Sequence, residues 1–173
     1  MSNQYNNPDS LDSGEFDAPK LPTGLNVLTI LTFIGSAFGL YFTVSGFLTA
    51  ESSYQKKDEI IAQMKSPEMP AIVKSFLPPM DQFDELMTKG FENKWPLFIL
   101  GLLATALCLY GALQMRKLKK QGFLFYTIGQ LLPFVTTILF LGTSAFYGVT
   151  IFFSVISLLF LLLYFFQRKH LVY

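Results

Sequence analysis

Charge is what this sequence is short of. Asp, Glu, Lys and Arg make up 14% of its 173 residues, against a hydrophobic share of 51%, and soluble domains carry about 25%. The charges present avoid three long stretches: none occurs in 21–50, 95–115 or 121–167. An ionised side chain at the centre of a membrane helix costs about 2.5–3.5 kcal/mol even on the lenient insertion scale. Charge-free runs of this length exclude an ordinary soluble domain and predict membrane helices.

The residues that usually carry chemistry are scarce too. There is one cysteine and one histidine. A lone cysteine excludes an intrachain disulfide, and Cys108, inside an apolar run, reads as a small packing residue. His170 lies in a short basic tail beside no acid or cysteine cluster and reads as a solvated juxtamembrane residue. No Asp, Glu, His, Lys or Arg falls within an apolar run, so a proton relay or charge-coupled step has no carrier. The motifs H-E-x-x-H, G-x-S-x-G and C-x-x-C and the phosphate loop are all missing. The expectation is therefore no catalytic, cofactor-binding or metal-binding residue, no cofactor and no enzyme activity. Asp81 and Asp84 are better explained as helix-start residues than, with Glu85, as cation ligands. A net charge of +1, with the basic residues in short loops, gives no nucleic-acid surface.

What is there is organised around a basic elbow, Gln114 to Gly122, which carries Arg116, Lys117, Lys119 and Lys120 between two uncharged apolar runs. Such a cluster between membrane helices marks a cytoplasmic loop. Those four cations are topology determinants. They can also attract anionic lipid heads, at about 1 kcal/mol per cation near the surface.

The chain then divides as follows. Residues 1–20 are polar and acidic (Asp9, Asp12, Glu15, Asp17) and predict a disordered tail on the cytoplasmic side, without the basic and apolar regions of a cleaved signal peptide. Residues 21–50 form the first span. Its small residues Thr29, Thr32, Ser36, Gly39, Thr43 and Gly46 alternate at spacings of three and four, which places them on one stripe. Gly35 and Gly39 make a G-x-x-x-G pair. That stripe is expected to face protein, and Leu28, Phe33, Leu40, Phe42 and Phe47 to face lipid. Residues 95–115 form the second span, with a similar stripe of Gly101, Ala104, Cys108 and Gly111. Residues 116–121 are the basic loop, 122–141 the third span, 142–144 a tight turn, 145–167 the fourth span, and 168–173 a basic cytoplasmic tail.

The third span holds the two oddest residues. Gln130 sits roughly 12 Å deep at about 1.5 Å per residue, and Pro133 is expected to kink the helix by removing the bond to the Gly129 carbonyl. Tyr126, Gln130, Pro133 and Thr137 share a face. Counted inward from the cytoplasmic ends, Ser36, Thr105, Gln130 and Ser157 come out at similar depth and predict a polar layer inside the bundle. Such a layer serves either as interhelical glue or as a small polar binding site.

Residues 51–94 are the only sizeable hydrophilic segment, with six lysines among eight acids. Tyr54–Met64 has helical character. Ser66-Pro67 reads as a helix start, and Met69, Ile72, Val73, Phe76 and Leu77 recur at amphipathic spacing. A third short helix, capped by Asp81 and ended by Gly90, carries Phe83, Leu86 and Met87. The segment is too short for its own core. Its apolar face, Met69 to Met87, is expected to meet a partner or the membrane surface.

The block Ala106 to Phe123, with Tyr126 to Pro133 after it, resembles small four-span bacterial membrane proteins of unknown function, in which a basic elbow precedes Gly-Phe, Tyr and Gly-Gln/Glu. The resemblance implies a bacterial cytoplasmic membrane and transfers no functional residue. Claudins need Trp-Gly-Leu-Trp and paired cysteines, the quinone-linked disulfide-forming enzymes need cysteine pairs, and small multidrug transporters need an embedded glutamate; all are missing here.

The sequence thus predicts an all-α membrane protein: an antiparallel four-transmembrane-helix bundle with a short amphipathic-helical outer loop and both termini cytoplasmic. The function expected is a non-enzymatic structural or interaction subunit, its partners being the lipid bilayer and a membrane protein or a second copy. The rival is a small transporter or channel component built on the layer around Gln130.

Overall fold

The computed structural model describes residues 21–66, 70, 73 and 76–173. The acidic segment 1–20, Pro67, and Met69 and Ile72 of the expected amphipathic face lie outside the described residues. Among the described residues there is helix and no strand. The α-helices are α1 (Thr23–Gln55), α2 (Lys57–Lys65), α3 (Met80–Glu92), α4 (Lys94–Arg116), α5 (Lys120–Phe140) and α6 (Val149–Gln167), with short 3₁₀ turns at Thr143–Ala145 and Arg168–His170. Four of them, α1, α4, α5 and α6 with its 3₁₀ extension, are long and apolar enough to cross a membrane.

Several boundaries differ from the sequence reading, each for a local reason. α1 runs 33 residues, about 50 Å at about 1.5 Å per residue, whereas a hydrocarbon core is about 30 Å. Glu51–Gln55 contains no glycine or proline, so nothing stops the helix at Ala50. α3 is preceded by Pro79, with Asp81 in its first turn rather than at the cap. It continues through Gly90 and ends at Asn93, whose Nδ2 donates to the Lys89 carbonyl at 2.9 Å. α5 begins inside the basic stretch, at Lys120, and runs uninterrupted through Pro133. α6 begins only at Val149, because Gly148 (φ 49°) takes a left-handed conformation just before it.

The tightest packing joins α4 to α5, where glycines bring the two backbones together. A Cβ on Gly111 would lie 2.5 Å from the Tyr126 nitrogen, one on Gly122 would lie 2.6 Å from the Met115 nitrogen, and one on Gly129 would lie 2.8 Å from the Ala104 oxygen and the Cys108 nitrogen. None of these backbone atoms can swing aside. α1 packs on the other side of α4, with Thr43 against Gly101 and Thr105 beside Gly39. Thr29, Thr32 and Ser36 are buried.

The expected lipid face of α1 needs correction at two residues. Leu28 is buried, since it lies one turn before Thr32 on the flank of the same stripe. Phe47, one turn beyond Thr43, stacks on Phe98 at 4.4 Å and meets Trp95 edge-on at 4.8 Å. Conversely, a Cβ on Gly35 or Gly46 would meet nothing within 4 Å. The Gly35–Gly39 pair therefore makes no close helix contact within the chain at Gly35.

At the elbow, Leu118 adopts φ 56° and its carbonyl accepts from the Val172 and Tyr173 N–H groups at 3.0 Å each, while the Lys120 N–H donates to the Tyr173 carbonyl. Leu171 is buried with Met115, Leu118, Tyr126 and Tyr164. The last residues are thus docked on the elbow rather than forming a solvated tail. Arg116 Nη1 donates to Thr29 Oγ1 at 3.3 Å.

At the opposite end, α2 and α3 are held on the long α1. Tyr54 stacks on Phe91 at 4.5 Å, Lys94 pairs with Glu51 at 3.8 Å, and Lys57 Nζ reaches Asp84 at 2.8 Å. Leu86 and Met87 face a gap between α1, α3 and α4, whereas Val73 and Phe76 are exposed.

Two predictions follow from this packing. Gly129→Ala should lower stability by about 1–3 kcal/mol, the usual range for overpacking, whereas Gly35→Ala should be tolerated within about 0.5 kcal/mol. Thermal unfolding of both variants in mild detergent measures the difference. The hydrogen bond to Asp84 raises the Lys57 pKa above its ordinary 10.5. A raised folded-state value makes that contribution complete below pH 10.5 and lost as pH climbs through the higher folded value. The protection of the α2 amides, measured relative to their intrinsic base-catalysed exchange, should therefore fall above that pH in the natural chain, and Asp84→Asn should remove that fall.

Candidate functional site

A cavity of about 410 Å³ lies between α6 and the other three long helices. It exists because α6 packs loosely: of its residues only Tyr164 is buried. Ser36, Thr105, Gln130 and Ser157, read from the sequence as one polar layer, all line this cavity, as do Tyr126, Pro133 and Thr137 from the α5 face.

Gln130 is the hub of its polar groups. Its Nε2 donates to Ser157 Oγ at 2.5 Å and approaches the Ser157 carbonyl at 3.4 Å. Its Oε1 receives the Cys108 thiol at 3.5 Å. Gly129 lets α5 come close enough to α4 for that last contact, since any larger residue there would strike Cys108. Ser36 is buried on the α1 side. Thr105 Oγ1 donates to the Gly101 carbonyl at 2.9 Å and keeps its lone pairs.

Toward the elbow the cavity is shut by a tyrosine pair. The Tyr126 and Tyr164 rings pack at 4.4 Å, the two side chains are 2% and 1% exposed, and Thr32 Oγ1 shares a 2.8 Å hydrogen bond with the Tyr164 hydroxyl. Toward the other end Phe134 stacks on Phe146 at 6.1 Å. The flank is open: the lining residues Leu31 and Phe153 are 42% and 57% exposed, and Gly35 and Pro133 are exposed as well.

The lining carries no Asp, Glu, Lys, Arg or His. Among the described residues no three His, Cys, Asp or Glu side chains are grouped to hold a metal ion. The arrangement can hydrogen-bond and enclose; it offers no nucleophile–base pair.

Other sequence-predicted residues sit elsewhere. Arg116, Lys117, Lys119 and Lys120 lie at the elbow with Arg168, whose guanidinium rests over the Phe123 ring at 5.6 Å. Of the expected partner face, Val73 and Phe76 are exposed, and Leu77, Phe83, Leu86 and Met87 are half-buried. The sequence reading did not foresee the gate formed by Thr32, Tyr126 and Tyr164. Its only signal was a buried-stripe threonine and two tyrosines at matching depth.

These features define an all-helical, multi-pass membrane protein with an uncharged cavity inside its helices. No protein-family model, curated protein or solved structure matches the chain.

The gate is open to test. Tyr164→Phe loses one interhelical hydrogen bond and should cost about 0.6 kcal/mol. Tyr164→Ala removes the ring that ties α6 to α1 and α5 and should cost about 3–5 kcal/mol. Denaturation in mild detergent, with hydrogen exchange along α6, separates the two; equal effects would show that the ring contact is unimportant.

Proposed function

We propose that this chain is a non-enzymatic binding component of a small membrane transporter or channel, and that it holds an uncharged molecule in the cavity around Gln130. The observation that carries this reading is the convergence of Ser36, Thr105, Gln130 and Ser157 on one cavity open at its flank and shut toward the elbow. A cavity of about 410 Å³, mostly apolar with a few convergent polar groups, has the size and make-up of a small-molecule site. Of the four, Gln130 and Ser157 bond each other and Thr105 bonds within its own helix, while the space they face stays open at the flank.

The proposed topology is an antiparallel four-span bundle with both termini and the elbow cytoplasmic. The docking of residues 171–173 on the elbow and the approach of Gln167 to Gly24 support it, because they gather both ends and the elbow at one end of the bundle. The concentration of basic residues there, Arg116, Lys117, Lys119, Lys120, Arg168 and Lys169, supports the orientation. The bacterial cytoplasmic membrane follows from the resemblance of the second half of the chain.

A second reading, an interaction subunit docking through the extracytoplasmic segment 51–94, is favoured by one observation. Val73 and Phe76 of that segment, and Trp95 just after it, are exposed at 42%, 52% and 59%. Co-purification in mild detergent that is lost when 66–90 is deleted would select it.

The cavity reading is tested through Cys108, the sole cysteine and a lining residue. In intact membranes a small uncharged thiol reagent should modify Cys108 well ahead of a charged reagent of similar size. Gly35→Leu, which places a side chain into open space in the cavity, should slow the reaction about tenfold, equivalent to about 1.4 kcal/mol of access. Reaction only after denaturation would mean a closed, dry core and would sink the proposal.

A further inference from the structure

The lining of the cavity bears on which uncharged molecules would fit it. Three features act independently. The first is entry. The mouth lies on the flank of the bundle, beside exposed Leu31, Gly35 and Phe153, whereas the elbow end is stopped by the tyrosine pair. An occupant therefore arrives from the hydrocarbon of the bilayer and must be soluble there.

The second is charge. With no ionised partner in the lining, a carboxylate, phosphate or ammonium would be buried unpaired, which is strongly unfavourable.

The third is hydrogen-bond capacity. Gln130 directs its amide NH2 group at Ser157, to Oγ at 2.5 Å and toward the carbonyl at 3.4 Å. Among the described residues its carbonyl oxygen is met only by a thiol at 3.5 Å, a weak donor at the limit of reach. Ser157 Oγ, having accepted from Gln130, still has its own O–H to give. A strong acceptor and a free donor thus stand side by side. A ketone or an ester fills only the donor; a hydroxyl, which gives one hydrogen and accepts another, fills both. Beyond this pair, moving away from the tyrosines, the wall is formed by Phe134, Phe146 and Phe153. Ser154, which lines the same wall with Thr137 and Thr150, gives its hydrogen to its own helix at Thr150 O, 2.7 Å, and so offers an occupant acceptor lone pairs but no donor.

We infer that the cavity takes a lipid-soluble alcohol, with its hydroxyl between Gln130 Oε1 and Ser157 Oγ and its hydrocarbon body along the phenylalanines toward the flank. This rests on the cavity reading above and adds the chemical class of the occupant. It makes Gln130 the specificity-determining residue, Ser157 a binding residue, and Cys108 the weak donor that an alcohol displaces.

The test uses the full chain reconstituted in lipid nanodiscs and three photoreactive probes of one chain length: a diazirine-bearing long-chain alcohol, its methyl ketone and its carboxylic acid. Cross-linked peptides are mapped by mass spectrometry. The alcohol should label peptides containing cavity-lining residues about fivefold more than the ketone, the value of one net hydrogen bond, and the acid should label least. Gln130→Met should bring alcohol and ketone level, Ser157→Ala should weaken labelling by both while leaving the alcohol ahead, and Gly35→Leu should suppress labelling by both. Equal labelling of the natural chain by alcohol and ketone overturns the inference, as does labelling that Gly35→Leu leaves unchanged. The two levels of the argument separate cleanly. If Cys108 still reacts with the small uncharged reagent but the alcohol has no advantage, the alcohol assignment fails and the cavity stands. If Cys108 is closed to the reagent, the cavity reading itself has failed.

Discussion

Three glycines set how the rest of this protein is arranged. Gly111, Gly122 and Gly129 allow the backbones of α4 and α5 to come within the reach of a single missing methyl group. Helices in lipid gain nothing from the hydrophobic effect by meeting each other, so close packing and hydrogen bonds must hold them. Here the closeness is concentrated in one pair. It orients α5 so that Gln130 faces Cys108, puts Tyr126 next to Gly111, and leaves the elbow so short that Leu118 must adopt a positive φ.

The uneven distribution of packing has a consequence at α6. Its phenylalanines and leucines are at home in hydrocarbon, and nothing in that solvent squeezes the helix onto its neighbours. It is tied by a few specific contacts: the Tyr164 ring with Thr32 and Tyr126, the Gln130–Ser157 hydrogen bond, and the docking of Leu171 beside the elbow. The space between these ties is the cavity. A polar floor without charge and an apolar wall are what remain when small hydroxyl residues face inward and aromatic ones are left between helices.

Much of this was legible in one dimension. The three charge-free stretches, the last long enough for two spans, mark the four long helices, because the penalty for an ion in hydrocarbon leaves a compositional trace that needs no knowledge of contacts. Counting from the ends of the runs grouped Ser36, Thr105, Gln130 and Ser157 as one layer, and the structure sets all four on one cavity; Gln130 stood out as the one amide deep in its span. Element ends were harder. α1 passes Ala50 because polarity changes there while helix propensity does not, and α6 starts late because a glycine conformation, not a polarity change, sets its first turn. The lipid face was misassigned at Leu28 and Phe47, since a stripe of small residues reveals the centre of a contact and not its width. The tyrosine gate left almost no trace, as Tyr126 and Tyr164 are 38 positions apart and meet only through folding.

By itself, then, the sequence determined the solvent of this protein, the number of its long apolar helices and the absence of charge from their interior. Each of these is written residue by residue in transfer free energy, which is local and additive enough to read along the chain. The tertiary structure alone decided that the α4–α5 pair is tight and α6 loose, that the polar residues line a space instead of filling it, and that the space opens sideways. Those outcomes depend on which backbone atoms can approach within ångströms. That is a property of pairs of surfaces in three dimensions, to which hydropathy along a chain is blind.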